Sequence, residues 1–538
     1  MNWLLFPGRH LVNTKFQAEY LKRVLSCKPA SLPGFLQGGN ALAEAPSGIV
    51  FAITSANQEN SRYNPIPFHI RAVGVDRFAR LLQAETPFRY RVFGIPHYGH
   101  TRNFAAFTIK EIADQSERTI VLTPENCLVL CSTPEVIKLY RELGFAIAPA
   151  ELEPEGKNKP ATPIEIIREI GGGKESRAGS PASLQLAASH VSLFEDFPEI
   201  PRRIARLYQD PLTNQEGSLT TTRNYSSYAR GMNEIIRLKY LDIRGAIKPG
   251  RIVDEGCADG ALLAETSVDF PDSDLFGIDL SAEFAGRFHE RQRAGEFGGA
   301  YVHFFHRNLL DPLFEAESID TTICNSTLHE LWSYAERETT VRGYLEEKFR
   351  QLRPGGRLVV RDVVGPVDGG REVLLWCSDE DGSNPASEAL AVENNRDHAW
   401  LQGLSTRARF YLFARDFVPG RGNFAFEETQ HAGRPVFRLK LRLAAEFLSK
   451  KDYVDNWKSE MNEEFCFWSF PAWKAALAVA GFRVLENANE PAAGSRVYTN
   501  PWTVKNRYEG HALVMDAAGN ELSWPPTNMI LVAEKPLA

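Results

Sequence analysis

The stretch that most constrains the fold of this chain is the octet VDEGCADG at residues 253–260. An apolar run, RIVD, leads into it, and a segment with helical periodicity, ALLAETSVDF, follows it. A strand that enters a loop of small residues before a helix is a general device for holding a nucleotide. The small residues let the backbone approach the ligand, and the first turn of the helix offers free N–H groups. The octet therefore predicts an α/β sheet that binds a ligand at this loop.

The order of the small residues narrows the choice of ligand. Gly256, Ala258 and Gly260 give a Gly-x-Gly-x-Gly spacing with alanine in the middle. This is neither the Gly-x-Gly-x-x-Gly of a dinucleotide site nor the Gly-Lys-Ser/Thr of a P-loop. The loop has no Lys or Arg that would bind phosphate. It carries three acidic residues instead: Asp254, Glu255 and Asp259. A cationic ligand is therefore favoured over a phosphate-rich one.

Further landmarks follow the loop in order. Asp279 ends the second apolar run, FGID, and the turn HRNLLDP places Asn308 and Leu309 after the third. Two more strand patterns follow in IDTTICNSTLHEL and QLRPGGRLVVRDVV, and NMILVAEKP gives a last one. With its landmarks in this order, the chain resembles the class I S-adenosylmethionine-dependent methyltransferases over residues 225–365 and 465–538.

This resemblance implies S-adenosylmethionine as the cofactor and a Rossmann-like fold for the C-terminal part. Asp279 would bind both ribose hydroxyls, and Asn308 and Leu309 would contact the adenine. The predicted cofactor-binding residues are Tyr225, Asp254, Gly256, Cys257, Ala258, Gly260, Asp279, Leu280, Asn308, Leu309 and Asn325. Two local alternatives stay open at this point. Asp279 could cap the helix that follows it, and Asn308 could be an ordinary turn residue.

The predicted catalytic residues are His329 and Glu330. Methyl transfer from a sulfonium is an in-line displacement, so the enzyme must first align acceptor, methyl group and sulfur. An acceptor with a proton to lose also needs a nearby base. Both residues follow the fourth strand, at the mouth where acceptors bind in the resembled family, and the usual pKa of histidine suits neutral pH. The alternative is that both are structural polar residues at a helix start.

The first part of the chain carries a separate α/β pattern. The segments LLFPGRHLVNTKFQAEYL, VFAITSANQENSRYNPIPF and CSTPEVIKLYRELGFAI combine strand-like and helical runs. Together they resemble the nicotinamide-mononucleotide adenylyltransferase branch of the HIGH nucleotidyltransferases over residues 3–170. The resemblance implies a second Rossmann-like domain with a nucleotide site.

The catalytic positions of that second family are not kept. Thr14-Lys15-Phe16-Gln17 occupies the place of its His/Thr-x-Gly-His motif. Glu165 stands where an arginine should follow Thr162 by three residues, so two cationic donors to the reacting phosphates are missing. We therefore expect a domain without catalysis, which binds a nucleotide-like ligand or serves as a docking surface. The residues predicted to hold such a ligand are Gly8, Arg9 and Ser55.

These patterns predict an α/β protein with two Rossmann-like three-layer domains, the second being a class I methyltransferase fold with an inserted cap. The first domain is expected at residues 1–175 and the second at 221–538. The Gly- and Ser-rich segment GGGKESRAGSPAS indicates a linker, which we extend over 176–220. The strand and helix pattern loosens at about 370–460, where aromatic residues increase, and this stretch is predicted to be the cap.

Composition limits the partners. The net charge is −7 and no apolar run approaches the roughly 20 residues of a membrane span, so neither nucleic acid nor a membrane is favoured. Cys127 and Cys131 lie in an apolar run typical of a buried strand, so no metal site is predicted. We expect a cytoplasmic enzyme acting on a small-molecule acceptor. The open alternatives are a bifunctional nucleotidyltransferase/methyltransferase and an RNA methyltransferase whose first domain binds the substrate. A scaffold without activity is disfavoured by the intact cofactor landmarks.

Overall fold

The computed structural model describes most of the chain, in two compact units, Met1–Gly217 and Ser218–Ala538. The described residues are 1–32, 34–38, 42–98, 103–149, 161–172, 182–210, 215, 235–386, 397–418, 424–486 and 493–537. Of the predicted site residues, Tyr225 lies outside these ranges. Within them, no helix has both the length and the apolar character that crossing a membrane requires.

The first unit is built on a five-stranded parallel sheet. Its strands β1 to β5 are Trp3–Gly8, Gly48–Thr54, Arg89–Ile95, Cys127–Leu130 and Ala146–Ala148. They are arranged in the order β3-β2-β1-β4-β5. The direction of chain progression reverses between β1 and β4. In an open α/β sheet, ligands bind beyond the carboxyl ends of the strands at such a reversal.

Helices cover both faces of this sheet because successive strand residues point to opposite sides. The helices α1 to α7 are Lys15–Ser26, Phe68–Gln83, Phe104–Gln115, Pro134–Glu142, Pro163–Ile170, Ala188–Asp196 and Glu199–Gln209. Leu4 and Phe51 share one apolar cluster with residues of α1 and α2. Leu5 and Val50 share the opposite cluster with residues of α3 and α4. The sheet is therefore buried on both faces, as parallel sheets are.

The sequence predicts a linker over residues 176–220, but α6 and α7 lie there and pack into the first unit. Ile200 and Ile204 of α7 are buried in one cluster with Ile167 of α5. Within α7, Ile200, Ile204 and Leu207 follow one another at intervals of four and three residues, which is the pattern of an amphipathic helix. The linker prediction was wrong over these helices because it carried the glycine- and serine-rich composition of 171–183 past the point where this periodicity begins.

The main sheet of the second unit has eight strands. Its strands are β6 (Arg251–Glu255), β7 (Asp274–Asp279), β8 (Tyr301–His306), β9 (Ile319–Asn325), β10 (Leu352–Val363), β14 (Arg483–Val484), β15 (Arg496–Tyr498) and β17 (Asn528–Glu534). The order is β14-β17-β10-β9-β6-β7-β8, with β15 also pairing with β17. The strands β6 to β10 pair in parallel and β17 runs antiparallel. The order reverses between β6 and β9, so the glycine-rich loop lies at the switch point.

Eleven helices lie in the described part of this unit. The helices α8 to α18 are Ile236–Ile243, Ala261–Asp269, Ala282–Arg293, Leu328–Tyr334, Arg337–Gln351, His398–Gly403, Thr406–Asp416, Leu441–Lys450, Trp457–Glu460, Phe470–Val479 and Pro501–Thr503. Helices follow most of the parallel strands in sequence, as βαβ connections require. The predicted α/β class with Rossmann-like sheets is confirmed.

A smaller antiparallel sheet belongs to the same unit. It is formed by β11 (Glu372–Cys377), β12 (Phe426–His431), β13 (Arg434–Lys440) and β16 (Ala512–Met515), in the order β12-β13-β11-β16. Its apolar face packs on α14 and α15, and Phe410 stacks on Phe437 with ring centroids 3.9 Å apart. The sequence places the cap at about 370–460. The structure adds β16, which pairs with β11 from far downstream, so two chain segments build this layer.

The cysteines are free thiols. Cys127 begins β4, and both it and Cys131 are buried. Burial raises the pKa of the Cys127 thiol well above its usual range. A buried, protonated thiol packs as a small apolar group. The interpretation of this run as a buried strand is confirmed.

Candidate active site

The glycine-rich loop turns sharply after β6 through a series of left-handed residues. Gly256 has φ +73°, Ala258 +48° and Gly260 +81°. A Cβ atom on Gly256 would collide with the side chain of Thr327, and one on Gly260 would collide with the ring of Phe288. Glycine is therefore required at both positions. Ala258, the departure from the glycine pattern, holds a conformation that glycine adopts at lower cost.

Asp279 joins this loop to the end of β7. Its Oδ2 accepts a hydrogen bond from the Ala258 N–H at 3.0 Å, and its Oδ1 accepts one from the Ser281 N–H at 2.8 Å. The following helix, α10, is capped by Ser281, whose Oγ accepts from the Phe284 N–H. Asp279 is therefore not the N-cap, and the first local alternative is wrong. Its carboxylate lies between the loop and the strand end, where the prediction places the ribose.

Asp254 is a buried acid with one carboxyl oxygen, Oδ2, that receives no hydrogen bond from the described residues. Burial, together with the nearby carboxylates of Asp279 and Glu255, raises its pKa to about 8, against a weaker opposing effect of Lys239. A buried carboxylate without a partner is costly for a folded protein. Such an oxygen fits a cationic ligand that would supply the missing donor.

The other two acids of the octet are neutralised by neighbouring helices. Glu255 is buried and binds both the Lys348 ammonium and the Tyr344 hydroxyl of α12. Asp259 pairs with the Arg291 guanidinium of α10 at 2.9 Å. The sequence predicts three charges facing the ligand, and the structure corrects this. Among the three acids of the octet, Asp254 is the one with a buried carboxyl oxygen that has no hydrogen-bond partner among the described residues.

The remaining predicted cofactor residues lie at the carboxyl edge of the sheet. Register places Glu255 beside Ile278 of β7 and Cys324 of β9, so the residues that follow these strands are adjacent. Among the predicted cofactor residues, Asp279 and Asn325 end β7 and β9, and Gly256 and Leu280 directly follow β6 and β7. Asn308 and Leu309 lie after β8. The side chain of Cys257 differs from the rest, because it is buried in the apolar core and only its backbone borders the loop.

Asn308 has a role in its own turn. It is buried, and its Oδ1 accepts a hydrogen bond from the Leu310 N–H at 3.0 Å. An asparagine that binds the backbone two residues on forms a local turn of its own. The interpretation as a turn residue therefore agrees with the structure. Contact with adenine stays a prediction.

His329 lies in the first turn of α11, the helix after β9, and is held between two acids. Its Nδ1 lies 2.7 Å from Asp362 Oδ1, and its Nε2 lies 3.5 Å from Glu463 Oε2. Burial alone would lower the pKa of His329, but the charge and hydrogen bond of Asp362, with Glu463 and Glu330, raise it to about 9. In this arrangement the ring is protonated at neutral pH. The geometry does not favour His329 as the proton acceptor that the sequence predicts.

Sequence reasoning missed Asp362 and Glu463. Asp362 lies within β10, and both of its carboxylate oxygens accept hydrogen bonds from backbone N–H groups, one of them that of Leu328. Glu463 lies after α16, far along the chain from His329. The motif RDVV carries a weak signal for Asp362, because a charged residue in an apolar strand needs a partner. Glu463 has no comparable local signal.

A cleft of about 330 Å³ lies against the segment Cys466–Ser469, a few residues after Glu463 in the chain. Lys440 and Arg442 line it, as do the rings of Phe467 and Trp468. Phe467 stacks on Trp332 of α11, the helix that carries His329, with centroids 4.4 Å apart. Arg442 pairs with Glu464 at 2.9 Å, so Lys440 and the two aromatic rings are what favour a flat ligand of modest size.

In the first unit, two residues at the places where the resembled nucleotidyltransferases would have cationic groups, Gln17 and Glu165, start helices. Gln17 Oε1 accepts from the Thr14 N–H, while the Gln17 N–H donates to Thr14 Oγ1. Glu165 Oε2 accepts from both the N–H and the hydroxyl of Thr162. Both pairs match the Ser/Thr-x-x-Glu/Gln capping box. The sequence itself carries this pattern in Thr14-x-x-Gln17 and Thr162-x-x-Glu165, so both helix starts could have been predicted from it.

The predicted ligand residues of the first unit surround a buried arginine. The Arg71 guanidinium donates to the carbonyls of Arg9, Thr54 and Ser55, each at 2.8 Å. Arg9 itself donates to the Tyr63 carbonyl. Burial, followed by the charge of Arg9, lowers the pKa of Arg71 to about 10. Gly8, Arg9 and Ser55 therefore lie together at the switch point of this sheet. The positive charge there comes from the Arg71 guanidinium, which binds the carbonyls of Arg9 and Ser55.

Comparison with known proteins gives one family match and several solved structures. Residues 252–356 match the family model described as a methyltransferase domain. An S-adenosylmethionine-dependent methyltransferase from Methanosarcina mazei is 14% identical, with 55% of this chain and 97% of that chain covered and a TM-score of 0.29. One from Mesorhizobium loti is 15% identical, with 56% and 97% covered and a TM-score of 0.30. The geranyl diphosphate C-methyltransferase of Streptomyces coelicolor is 10% identical, with 60% and 88% covered and a TM-score of 0.28.

The methyltransferase-domain match spans the glycine-rich loop and the strands β7 to β9 described above. Residues 252–356 therefore form a methyltransferase domain, and the predicted enzyme class and cofactor are confirmed. The low identities and TM-scores of the solved structures carry no conclusion about the acceptor. The family match does not extend to the first unit.

Proposed function

We propose that this enzyme transfers a methyl group from S-adenosylmethionine to a small-molecule acceptor, and that its first unit binds a nucleotide-like ligand without catalysis. The cofactor supplies an electrophilic methyl group on a cationic sulfonium. The observation that carries its placement is Asp254, because its buried Oδ2 has no hydrogen-bond partner among the described residues. The ammonium group of the cofactor's methionine part would supply that partner. Asp279 would receive the ribose hydroxyls, and Asn308 and Leu309 would lie beside the base.

The proposed acceptor class rests on the cleft lined by Phe467, whose ring stacks on Trp332 of the helix that carries His329. Its volume of about 330 Å³ lies within the range of about 300–1,000 Å³ that holds small ligands in proteins. Lys440 at its wall favours a polar or acidic molecule, and Phe467 and Trp468 favour a ring. His329 and Glu330 follow β9 at the same edge, so both would face the acceptor. Glu330 is the more accessible of the two for taking up a proton.

The proposed role of the first unit rests on its capping boxes. Gln17 and Glu165 hold the starts of α1 and α5, so neither is placed as a cationic donor to a triphosphate. Arg9 and the carbonyls bound by Arg71 still form a polar edge at the switch point. We infer that this edge binds a nucleotide-like ligand, while the adenylyl transfer of the resembled family is lost.

Incubation of the full chain with methyl-labelled S-adenosylmethionine and a cell extract tests the function directly. Label should enter the small-molecule fraction, and mass spectrometry should find products heavier by one methyl group. Lys440→Gln should raise the KM for the acceptor without changing cofactor affinity. Lys458→Gln, which removes an exposed lysine of α16, is the matched control. Label confined to RNA, with strongly salt-dependent binding, would instead support the RNA methyltransferase alternative.

A further inference from the structure

We propose that His329, Glu330 and Glu463 bind a divalent transition-metal ion, zinc or manganese, beside the acceptor. Each of the three residues offers one ligand atom, and these atoms lie within 4.8 Å of one another. His329 and Glu463 are buried, whereas Glu330 is partly exposed and leaves an approach from the acceptor side. The place of the ion in the reaction rests on the proposed function, but binding of the ion does not.

The separation of His329 and Glu463 is the first observation. Nε2 and Oε2 lie 3.5 Å apart, which is long for a hydrogen bond between nitrogen and oxygen. Two ligands that each lie about 2.1 Å from one tetrahedral ion are about 3.4 Å apart. The two atoms are therefore spaced as a pair of metal ligands are. Glu463 Oε1 accepts from the Tyr334 hydroxyl at 3.2 Å, which directs Oε2 towards the histidine.

The second observation is the support behind the histidine. His329 Nδ1 lies 2.7 Å from Asp362 Oδ1, and Asp362 is fixed by the N–H groups of Leu328 and Val363, each at 2.8 Å. Histidines that bind metals almost always give their second ring nitrogen to a carboxylate, a carbonyl or water, which fixes the tautomer and the ring orientation. Here Asp362 accepts from the Nδ1–H group and directs Nε2 towards the two glutamates, and the ion would replace the proton that Nε2 carries in the metal-free protein.

The two glutamates supply the negative charge of the cluster. Lys450 lies beside it, where it donates to the backbone carbonyl of Glu463 and pairs with the Glu446 carboxylate at 3.0 Å. A divalent cation would be attracted by both glutamates at once.

The ligand set selects the class of ion. One imidazole with two carboxylates suits zinc or manganese, whereas magnesium and calcium are usually bound by oxygen alone. Three protein ligands leave further positions for a water molecule or a substrate oxygen, which is the arrangement of catalytic rather than structural sites. This implies an acceptor that reacts through a hydroxyl group.

The reaction that follows is balanced without a further reagent. The acceptor hydroxyl releases its proton to solvent when its oxygen binds next to the ion. That oxygen then forms a bond to the methyl carbon while the carbon–sulfur bond breaks. The products are a methyl ether, S-adenosylhomocysteine and one proton. A metal-bound oxygen is more acidic than a free one, which is why the ion would accelerate this step.

Metal binding by the full chain tests the proposal without any assay of activity. The protein is freed of metal with a chelator, then titrated with Zn²⁺ or Mn²⁺ by calorimetry, and bound metal is measured after desalting. We expect about one equivalent on the wild type. Glu463→Gln and His329→Gln should weaken binding at least tenfold, and Glu330→Gln, at a partly exposed position that tolerates substitution, should do the same. Asp362→Asn should weaken it about 10–100-fold.

His398→Gln is the control, because this half-exposed histidine of α13 pairs with Asp455 away from the cluster. It should bind metal as the wild type does. Stoichiometric binding that falls in the four variants and not in His398→Gln supports the site. Absence of binding in the wild type, or an equal loss in the control, would overturn it. Cofactor binding, measured on the same samples, tests the proposed function separately, since it does not require the ion.

Discussion

Replacing Asp254 by asparagine should stabilise the second unit while weakening cofactor binding. The carboxylate is buried, its Oδ2 has no hydrogen-bond partner in the described structure, and its pKa is raised to about 8 from an ordinary 3.8. One pKa unit is worth about 1.4 kcal/mol. At pH 7 only the interval between the ordinary pKa of 3.8 and pH 7 counts, so burying this acid lowers the free energy of unfolding by about 4 kcal/mol. The asparagine amide also lacks a partner, which costs about 1–3 kcal/mol. We therefore expect a net gain of about 1–3 kcal/mol in the free energy of unfolding.

The gain should depend on pH in a defined direction. Because the pKa of Asp254 is higher in the folded state, the folded protein keeps a proton that the unfolded chain has released. The contribution of this group to stability is complete below about pH 4 and declines as pH rises to about 8. Asparagine does not titrate, so the advantage of the variant should grow from about pH 4 to about pH 8 and then level off.

Thermal unfolding with and without the cofactor measures both effects. The transition that S-adenosylmethionine shifts upwards belongs to the second unit, and Asp254→Asn should raise it by a few degrees at pH 8. Calorimetry should show cofactor affinity about 10–150-fold lower, the loss expected for a hydrogen bond to a charged group. Asp259→Asn is the control, since its carboxylate is paired with Arg291 and its removal should not stabilise. A gain that is absent or independent of pH would refute the reasoning.

Three further predictions follow from the same contacts. Asp279→Ala should weaken binding of S-adenosylmethionine by about 1.5–3 kcal/mol, and unchanged affinity in calorimetry would exclude Asp279 from the site. Residues 370–460 expressed alone should show no sharp thermal transition, because β16 is missing from their sheet; a cooperative transition would contradict this. The full chain should release no pyrophosphate from ATP, Mg²⁺ and nicotinamide mononucleotide, because Gln17 and Glu165 cap helices. Turnover that Gln17→Ala abolishes would show a bifunctional enzyme.

Much of the site was readable from the sequence because its signals are local. The octet, the acid at the end of β7 and the turn after β8 each lie within a few residues of a strand end, and parallel strands bring their carboxyl ends to one edge. The pattern alone therefore predicts that the glycine-rich loop and Asp279 share one edge of the sheet, where the structure has them in contact, and their binding of the cofactor stays a prediction. The predictions that were wrong concern residues whose partners lie on other elements of the fold and cannot be recognised from the local sequence. The linker over 176–220 and the charges of Glu255 and Asp259 are examples.

The order of small residues, acids and apolar runs by itself determined the α/β class, the position of the cofactor loop and the preference for a cationic ligand. Only the tertiary structure decided which acids are neutralised, because Glu255 and Asp259 find their cations on the neighbouring helices α12 and α10. It also decided that β16 completes the smaller sheet and that Asp362 and Glu463 enclose His329. A backbone turn is set by residues adjacent in the chain, whereas the partner of a buried charge is set by whichever element packs against it.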